Sequence, residues 1–262
     1  MKSTHATLLA LCMSAGCLPA MASPTTVTVA GSFQSEAGCP GDWQPGCATT
    51  QLQRGTSDQV WRKTFALPGG SWEYKVAIDG LWDENYGDGA TPNGPNIALS
   101  VPAAGSVRFY YDEVTHWATD DRRSRIVTAA GSFQSELGCT GDWSPGCLRS
   151  WLEDVDGDGT YTFLTDALPM GSNEVKAALN EAWDENYGSG GAANGSNIGF
   201  SVTGLGQSVL FSFVSATNVL TVLVDDGPPG PVPEPSGTAL ALLALSLLGL
   251  QRRHARCRVS RR

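Results

Sequence analysis

Alternation is the clearest pattern along this chain. Trp72, Tyr74, Val76 and Ile78 are apolar and are separated by Glu73, Lys75, Ala77 and Asp79, the period of two of a strand with one buried face. Val107, Phe109 and Tyr111 repeat it. Further on, Val175, Ala177 and Leu179, then Val209, Phe211 and Phe213, show it again. Short runs of this kind, separated by Gly, Pro, Asn and Asp clusters and lacking helical periodicity, predict an all-β protein built as β-sandwiches.

Two stretches break the pattern. Lys2 and His5 precede an apolar run from Ala6 to Leu18, which ends in Ala20-Met21-Ala22 before Ser23-Pro24. A charged start, a short apolar run and a small-residue cleavage pattern predict a signal peptide over residues 1–22. Cys17 is a lipidation candidate, although Ser14-Ala15-Gly16 before it lacks the usual leucine. At the other end, Gly237 to Leu250 is apolar and is followed by Arg252, Arg253, Arg256, Arg258, Arg261 and Arg262. The run is shorter than the roughly 20 residues of a spanning helix, but flanking arginines can snorkel and rescue a short span. Residues 237–262 are therefore expected to form a hydrophobic helix with a basic tail, a membrane anchor. A Pro-rich linker, 226–236, precedes them.

The body between these ends is duplicated. Gly31-Ser-Phe-Gln-Ser-Glu36 returns as Gly131-Ser-Phe-Gln-Ser-Glu136, and Gly41-Asp42-Trp43 as Gly141-Asp142-Trp143. Trp82-Asp-Glu-Asn-Tyr-Gly87 returns as Trp183-Asp-Glu-Asn-Tyr-Gly188. A period of this length is a whole domain rather than a solenoid unit. The expected modules span 25–120 and 125–225, each of roughly the size that buries one core.

Charge and cysteines narrow the setting. From Ser23 to Gly230 there are 25 acidic and 10 basic residues, a net charge of −15, so nucleic acid is not an expected partner. Neutral polymers, cations, or mere solubility are compatible with it. Cys39 and Cys47 share their spacing with Cys139 and Cys147. In an exported chain two local disulfides are expected. A zinc site competes poorly, since His116 is the only histidine in the body.

Catalysis finds no support. His116 is matched by Asn218 in the second copy, so no Ser-His-Asp set is duplicated. Asp83-Glu84 and Asp184-Glu185 are adjacent pairs that a strand would send to opposite faces. Binding is better served. Trp82 and Tyr86, like Trp183 and Tyr187, place large aromatics in a polar, glycine-bounded loop, where an indole can cover a sugar ring while Asn and Asp side chains bond hydroxyls. The competing account has Trp82 and Tyr86 covering the core edge. The Gly31–Cys47 block reads as cross-linked architecture, with Gln34, Glu36 and Trp43 as further contact candidates. Asp154, Asp156 and Asp158 resemble the first half of a calcium loop, making calcium the one candidate cofactor. The bidentate acid is missing, however, with Thr165 in its place, and Gly157-Asp158-Gly159 also suits an ordinary hairpin turn.

Taken together, the Gly-Ser-Phe-Gln-Ser-Glu segment, the Cys-flanked Gly-Asp-Trp loop and Trp-Asp-Glu-Asn-Tyr-Gly resemble the non-catalytic accessory modules of bacterial pullulanases and amylopullulanases. That resemblance implies two tandem immunoglobulin-like β-sandwich modules, similar to starch-binding domains of SusE type. It implies a starch or related α-glucan partner and carries Lys75, Trp82 and Asn85, with Lys176, Trp183 and Asn186, into the binding site. The first copy also has the family-like Tyr110-Tyr111-Asp112 and Thr115-His116-Trp117 ending, from which Ser212-Phe213-Val214 departs. Val232-Pro233-Glu234-Pro235, before the apolar run and the arginines, resembles a PEP-CTERM sorting signal. It implies an exosortase-type partner, membrane attachment before processing, and the envelope or outer surface of a Gram-negative bacterium. An α-glucan-binding surface protein is the leading expectation. A structural envelope or matrix protein, or an accessory subunit of a separate amylase, are the alternatives.

Overall fold

The computed structural model describes residues 23–204 and 206–225. The expected signal peptide, Pro-rich linker, sorting motif and hydrophobic tail lie outside the described residues, among which no helix is long and apolar enough to cross a membrane. The described chain divides into two compact units, 23–53 with 61–120 and 54–60 with 121–225.

The first unit is built on β1 (Val27–Gly31), β2 (Gln53–Arg54), β3 (Val60–Leu67), β4 (Gly70–Ile78), β5 (Asn85–Tyr86), β6 (Ile97–Val101), β7 (Gly105–Asp112) and β8 (Ala118–Asp120). One sheet runs β1-β4-β5 with β6 also on β4, and the other runs β2-β3-β7-β8. The long strand β4 organises the first sheet. Its C-terminal half pairs with β1 (Val29↔Val76) and β5 (Val76↔Tyr86), and its N-terminal half pairs with β6 (Trp72↔Leu99), all antiparallel. Alternation sets the core, as expected: Tyr74, Val76 and Ile78 meet Val107, Phe109 and Tyr111 from the facing sheet in one apolar cluster. Phe109 is its hub, stacked on Phe33 at 5.3 Å and edge-on to Tyr74 at 5.0 Å, geometries that suit the ring quadrupoles.

The second unit repeats the plan with β9 (Val127–Gly131), β10 (Trp151–Leu152), β11 (Thr160–Thr165), β12 (Gly171–Leu179), β13 (Asn186–Tyr187), β14 (Ile198–Val202), β15 (Val209–Val214) and β16 (Val219–Val224). Its sheets are β10-β9-β12-β13, with β14 on β12, and β11-β15-β16. Phe133 stacks on Phe211 at 5.1 Å, as Phe33 does on Phe109.

The outer face of the β4 sheet departs from a simple buried-in, polar-out alternation. Thr28, Ala30 and Ala77 point away from the core, yet none has exposed surface. Their second-copy equivalents Thr128, Ala130 and Ala178 are equally buried. These side chains are small because the disulfide loop lies on them: Thr128 Oγ1 donates to Pro145 O at 3.0 Å, and Ser150 Oγ donates to Ala129 O at 2.8 Å. Cys39–Cys47 and Cys139–Cys147 are bonded within each unit, as the duplicated spacing predicts.

Inside each loop a buried glutamine does the folding. Gln34 Nε2 donates to Gln44 O (3.0 Å) and Thr50 Oγ1 (2.8 Å), while its Oε1 accepts from Gln44 N (2.6 Å). Gln134 makes the same bonds to Ser144 and Ser150. A buried amide left unmatched costs its full desolvation. Gln34→Ala should therefore destabilise the protein by about 2 kcal/mol or more, read as a lower urea midpoint.

A second restraint holds the start of the first unit. Asp79 Oδ1 accepts from Thr25 N, Thr25 Oγ1 and Thr26 N at 2.7, 2.6 and 3.0 Å, pinning the entry to β1. These bonds, the Thr25 hydroxyl first, hold its carboxyl below the ordinary 3.8. Asn180 stands at the equivalent turn in the second copy. A depressed carboxyl stabilises above its unfolded value, and that contribution disappears as pH falls through the folded one. Hydrogen exchange at the Thr25 and Thr26 amides should accelerate, relative to the Asp79→Asn variant, only below about pH 4.

Candidate functional site

The site starts where β4 ends. Asp79 and Gly80, both at positive φ (51° and 74°), turn the chain out of the sheet, and Leu81 to Glu84 bend over its edge before β5 returns. A strand of only two residues still sends consecutive side chains to opposite faces. Asn85, opposite Ala77, goes to the outer face, and Tyr86, opposite Val76, enters the core. Gly87 closes the loop where a Cβ would meet Pro95 O at 2.0 Å. Gly188 does so against Ser196 O at 2.2 Å.

The predicted site residues therefore separate by role. Trp82 is 37% exposed, and so is Trp183. Asn85 is buried, and its amide is committed: Nδ2 donates to Trp82 O (2.9 Å) and Asn93 Oδ1 (2.8 Å), while Oδ1 faces Lys75 Nζ at 3.5 Å. Asn186 repeats these bonds to Trp183 O, Asn194 and Lys176. Both asparagines fix the indole-bearing loop and aim the lysine. Tyr86 and Tyr187 lie behind the loop, donating from their hydroxyls to Glu84 and Glu185. Burial, then the Glu84 carboxylate, pushes the Tyr86 phenol up to about 12.

Trp43 is the residue that sequence reasoning left out of the central site. The disulfide loop brings its ring to 6.5 Å from Trp82 at a 40° tilt, and Trp143 stands at 6.4 Å and 38° from Trp183. In the second unit Trp143, Trp183, Lys176 and Asn197 line a concavity of about 300 Å³. Asn197 and its counterpart Asn96 were also missed as site residues. Each donates to the neighbouring glutamate, Asn96 to Glu73 (3.1 Å) and Asn197 to Glu174 (3.0 Å). The signal for both was present only as identity between the two copies.

Behind the loop the copies diverge. In the first, His116 stacks on Tyr86 at 4.1 Å and 5°, with its Nδ1 at 2.8 Å from the Tyr111 hydroxyl. Burial, with Tyr86 and Glu84 nearby, raises the Tyr111 phenol far above its usual range. In the second, Asn218 and Phe213 leave that space to the Arg125 guanidinium. It bonds Asn218 (2.7 Å), Ser215 O (3.3 Å) and Glu185, and lies over Tyr187 and Phe213. The departure from the family-like ending thus falls behind the tryptophan pair rather than on it.

Two other candidates look different in three dimensions. Asp83-Glu84 does not lie on a strand, as the opposite-face argument assumed, but in the bend before β5. Glu84 is there to hold Tyr86, as Glu185 holds Tyr187 and Arg125. Asp154, Asp156 and Asp158 do gather, with carboxylate oxygens within 4.8 Å. Each also accepts from an amide of its own turn: Gly159 N, Asp158 N and Thr160 N respectively. Side-chain bonds of this kind close a hairpin turn, while the other Asp154 oxygen, Oδ1, is buried without a hydrogen-bond partner. Partial burial is the main cause raising the Asp154 carboxyl above its usual value.

Comparison with known proteins agrees with this duplicated geometry. Amylopullulanase of Thermoanaerobacterium thermosulfurigenes is 28% identical over 200 residues, 74% of this chain and 10% of that enzyme. That of Thermoanaerobacterium saccharolyticum is 28% identical over the same length, 15% of the enzyme. Amylopullulanase of Thermoanaerobacter thermohydrosulfuricus is 37% identical over 86 residues, 33% of this chain and 6% of its own. The chain thus spans a small part of each relative. A solved pullulanase from Bacillus acidopullulyticus is similar over 76% of this chain and 28% of its own, at 14% identity and a TM-score of 0.34. The pullulanase X25 domain, a non-catalytic accessory module, matches residues 26–118 and again 126–220, and the chain belongs to that family.

Proposed function

We propose that this protein is a non-catalytic α-glucan-binding protein, with one weak site in each module. The observation that carries the reading is the pair of half-exposed indoles, built twice from the same residue types and edged in the second module by Lys176 and Asn197. Apolar ring faces beside hydrogen-bonding groups suit a sugar, which presents CH faces and hydroxyls together. The two rings are tilted rather than coplanar. A curved, α-linked chain turns its successive rings in this way, whereas a flat β-linked ribbon needs platforms in one plane. The relatives are amylopullulanases by name, which favours the same class of polymer.

Lys176 lines the groove, and Lys75 faces Asn85 as Lys176 faces Asn186; both lysines serve as donors to ring hydroxyls. The SusE-type, immunoglobulin-like description belongs to this proposal. So does the placement of the chain: export by the 1–22 signal, sorting at Val232-Pro233-Glu234-Pro235 by an exosortase-type enzyme, membrane contact through 237–262, and the Gram-negative surface. Two disulfides on an acidic body suit an extracytoplasmic setting and no nucleic-acid partner.

A single site of this kind binds at about millimolar strength, near −4 kcal/mol, and two on one chain strengthen attachment to a polymer. The full chain should be retarded in native gels containing starch or glycogen and not in gels containing a β-linked glucan. Trp82→Ala with Trp183→Ala should remove the retardation while leaving the folded circular dichroism spectrum intact. A folded double variant that is still retarded removes the site assignment. Lys75→Ala should weaken retardation and change stability by less than about 0.5 kcal/mol. Asn85→Ala, which frees Trp82 O and Asn93 Oδ1, should destabilise by about 1–3 kcal/mol in urea unfolding without sugar.

A further inference from the structure

Trp43 and Trp143 hold a backbone conformation that bulky residues avoid. Their φ values are 56° and 55°, in the left-handed region, where a Cβ crowds the following carbonyl. A glycine serves such a turn without strain, and the same loop uses glycine at Gly38, φ 93°. The indole must therefore be the reason for the residue. It is not there to fill the core, because both tryptophans are only half-buried and Trp43 is outside the apolar cluster. Strain kept twice at a half-buried aromatic fits a position held for what its indole meets, here the indole of Trp82 or Trp183.

Three restraints impose the strain. The disulfide closes the loop on either side of the tryptophan. The Trp43 amide donates to Gly31 O at 3.2 Å and the Trp143 amide to Gly131 O at 3.0 Å. The preceding aspartate accepts from Ser35 N and Oγ (2.9 and 2.8 Å), or from Ser135 N and Oγ (2.8 and 2.7 Å). With these in place the indole is fixed beside Trp82 or Trp183 before any ligand arrives, which lowers the ordering cost of binding.

We infer that the disulfide loop exists to present Trp43 and Trp143 as a second, pre-set sugar platform, so that each site covers two neighbouring rings of an α-linked glucan. This rests on the α-glucan reading above and adds to it a reason for the disulfide loop, a strain and a ligand length. A monosaccharide reaches one indole only. Maltotriose reaches both.

The test uses the full chain carrying Trp43→Gly and Trp143→Gly together. Glycine removes the platform and also the strain, so the variant should melt no lower than the parent. Its retardation in glycogen gels should nevertheless fall by about fivefold or more. Trp43→Phe with Trp143→Phe should recover part of the retardation and none of the melting gain. Added maltotriose should release the parent from the gel at concentrations where glucose does not. A parent that no glucan gel retards overturns the α-glucan reading and this one together. A retarded parent with equally retarded glycine variants overturns this inference alone. So does a glycine variant that melts well below the parent, because the indole is then a packing residue.

Discussion

A carboxamide with no exposed surface holds each disulfide loop in shape. Gln34 and Gln134 use both ends of the side chain, twice as donor and once as acceptor, to tie one limb of the loop to the other. Much else depends on it. The loop has to be compact to sit on the sheet, and the sheet has to be stripped of large side chains to receive it, hence Thr28, Ala30 and Ala77 where a solvent-facing strand would carry longer polar groups. Once seated, the loop carries Trp43 to Trp82. Without the amide, Gln44 O, Gln44 N and Thr50 Oγ1 would lose this partner, and the disulfide alone would hold the limbs together.

The two copies show which parts of this arrangement are tied together. The loop, the glutamine, the tryptophan pair, the asparagine and the closing glycine recur with almost the same distances. The space behind Tyr86 and Tyr187 does not. An imidazole stacked face to face in one unit is replaced in the other by a guanidinium from a different part of the chain. Both are flat, polar-edged groups that lie on a tyrosine ring and hydrogen-bond at their rims. That chemistry supports the loop from behind, and it can be exchanged without moving the indole in front.

Much of the fold could be read from the chain, because period-two alternation is a direct imprint of a half-buried strand. Val107, Phe109 and Tyr111 are buried as alternation requires, and identical cysteine spacing yields identical disulfides. The site was legible only in part. Trp82 became a candidate by its type and its repetition, and Lys75 by the family resemblance. Asn85 and Tyr86 looked like neighbours in one polar loop, whereas a two-residue strand, too short to show a period, divides them between opposite faces. Trp43 was a contact candidate, but its pairing with Trp82 was hidden for another reason. Its meeting with Trp82 depends on a loop folding back over a sheet, and the small residues that permit this, Thr28 and Ala30, read as part of an ordinary strand.

The strained tryptophans bear on why so small a module carries a cross-link at all. Each unit already has an aromatic core in contact between two sheets, so the disulfide is not standing in for a missing core, as it does in many small secreted folds. A left-handed non-glycine residue costs about 1–2 kcal/mol. Closing a short loop covalently removes unfolded-state freedom worth about 2–3 kcal/mol, enough to offset one such residue. The cross-link and the strain are of similar size and share one loop. This is the balance expected where covalent closure serves the geometry of a half-buried side chain rather than the stability of the sandwich beneath it.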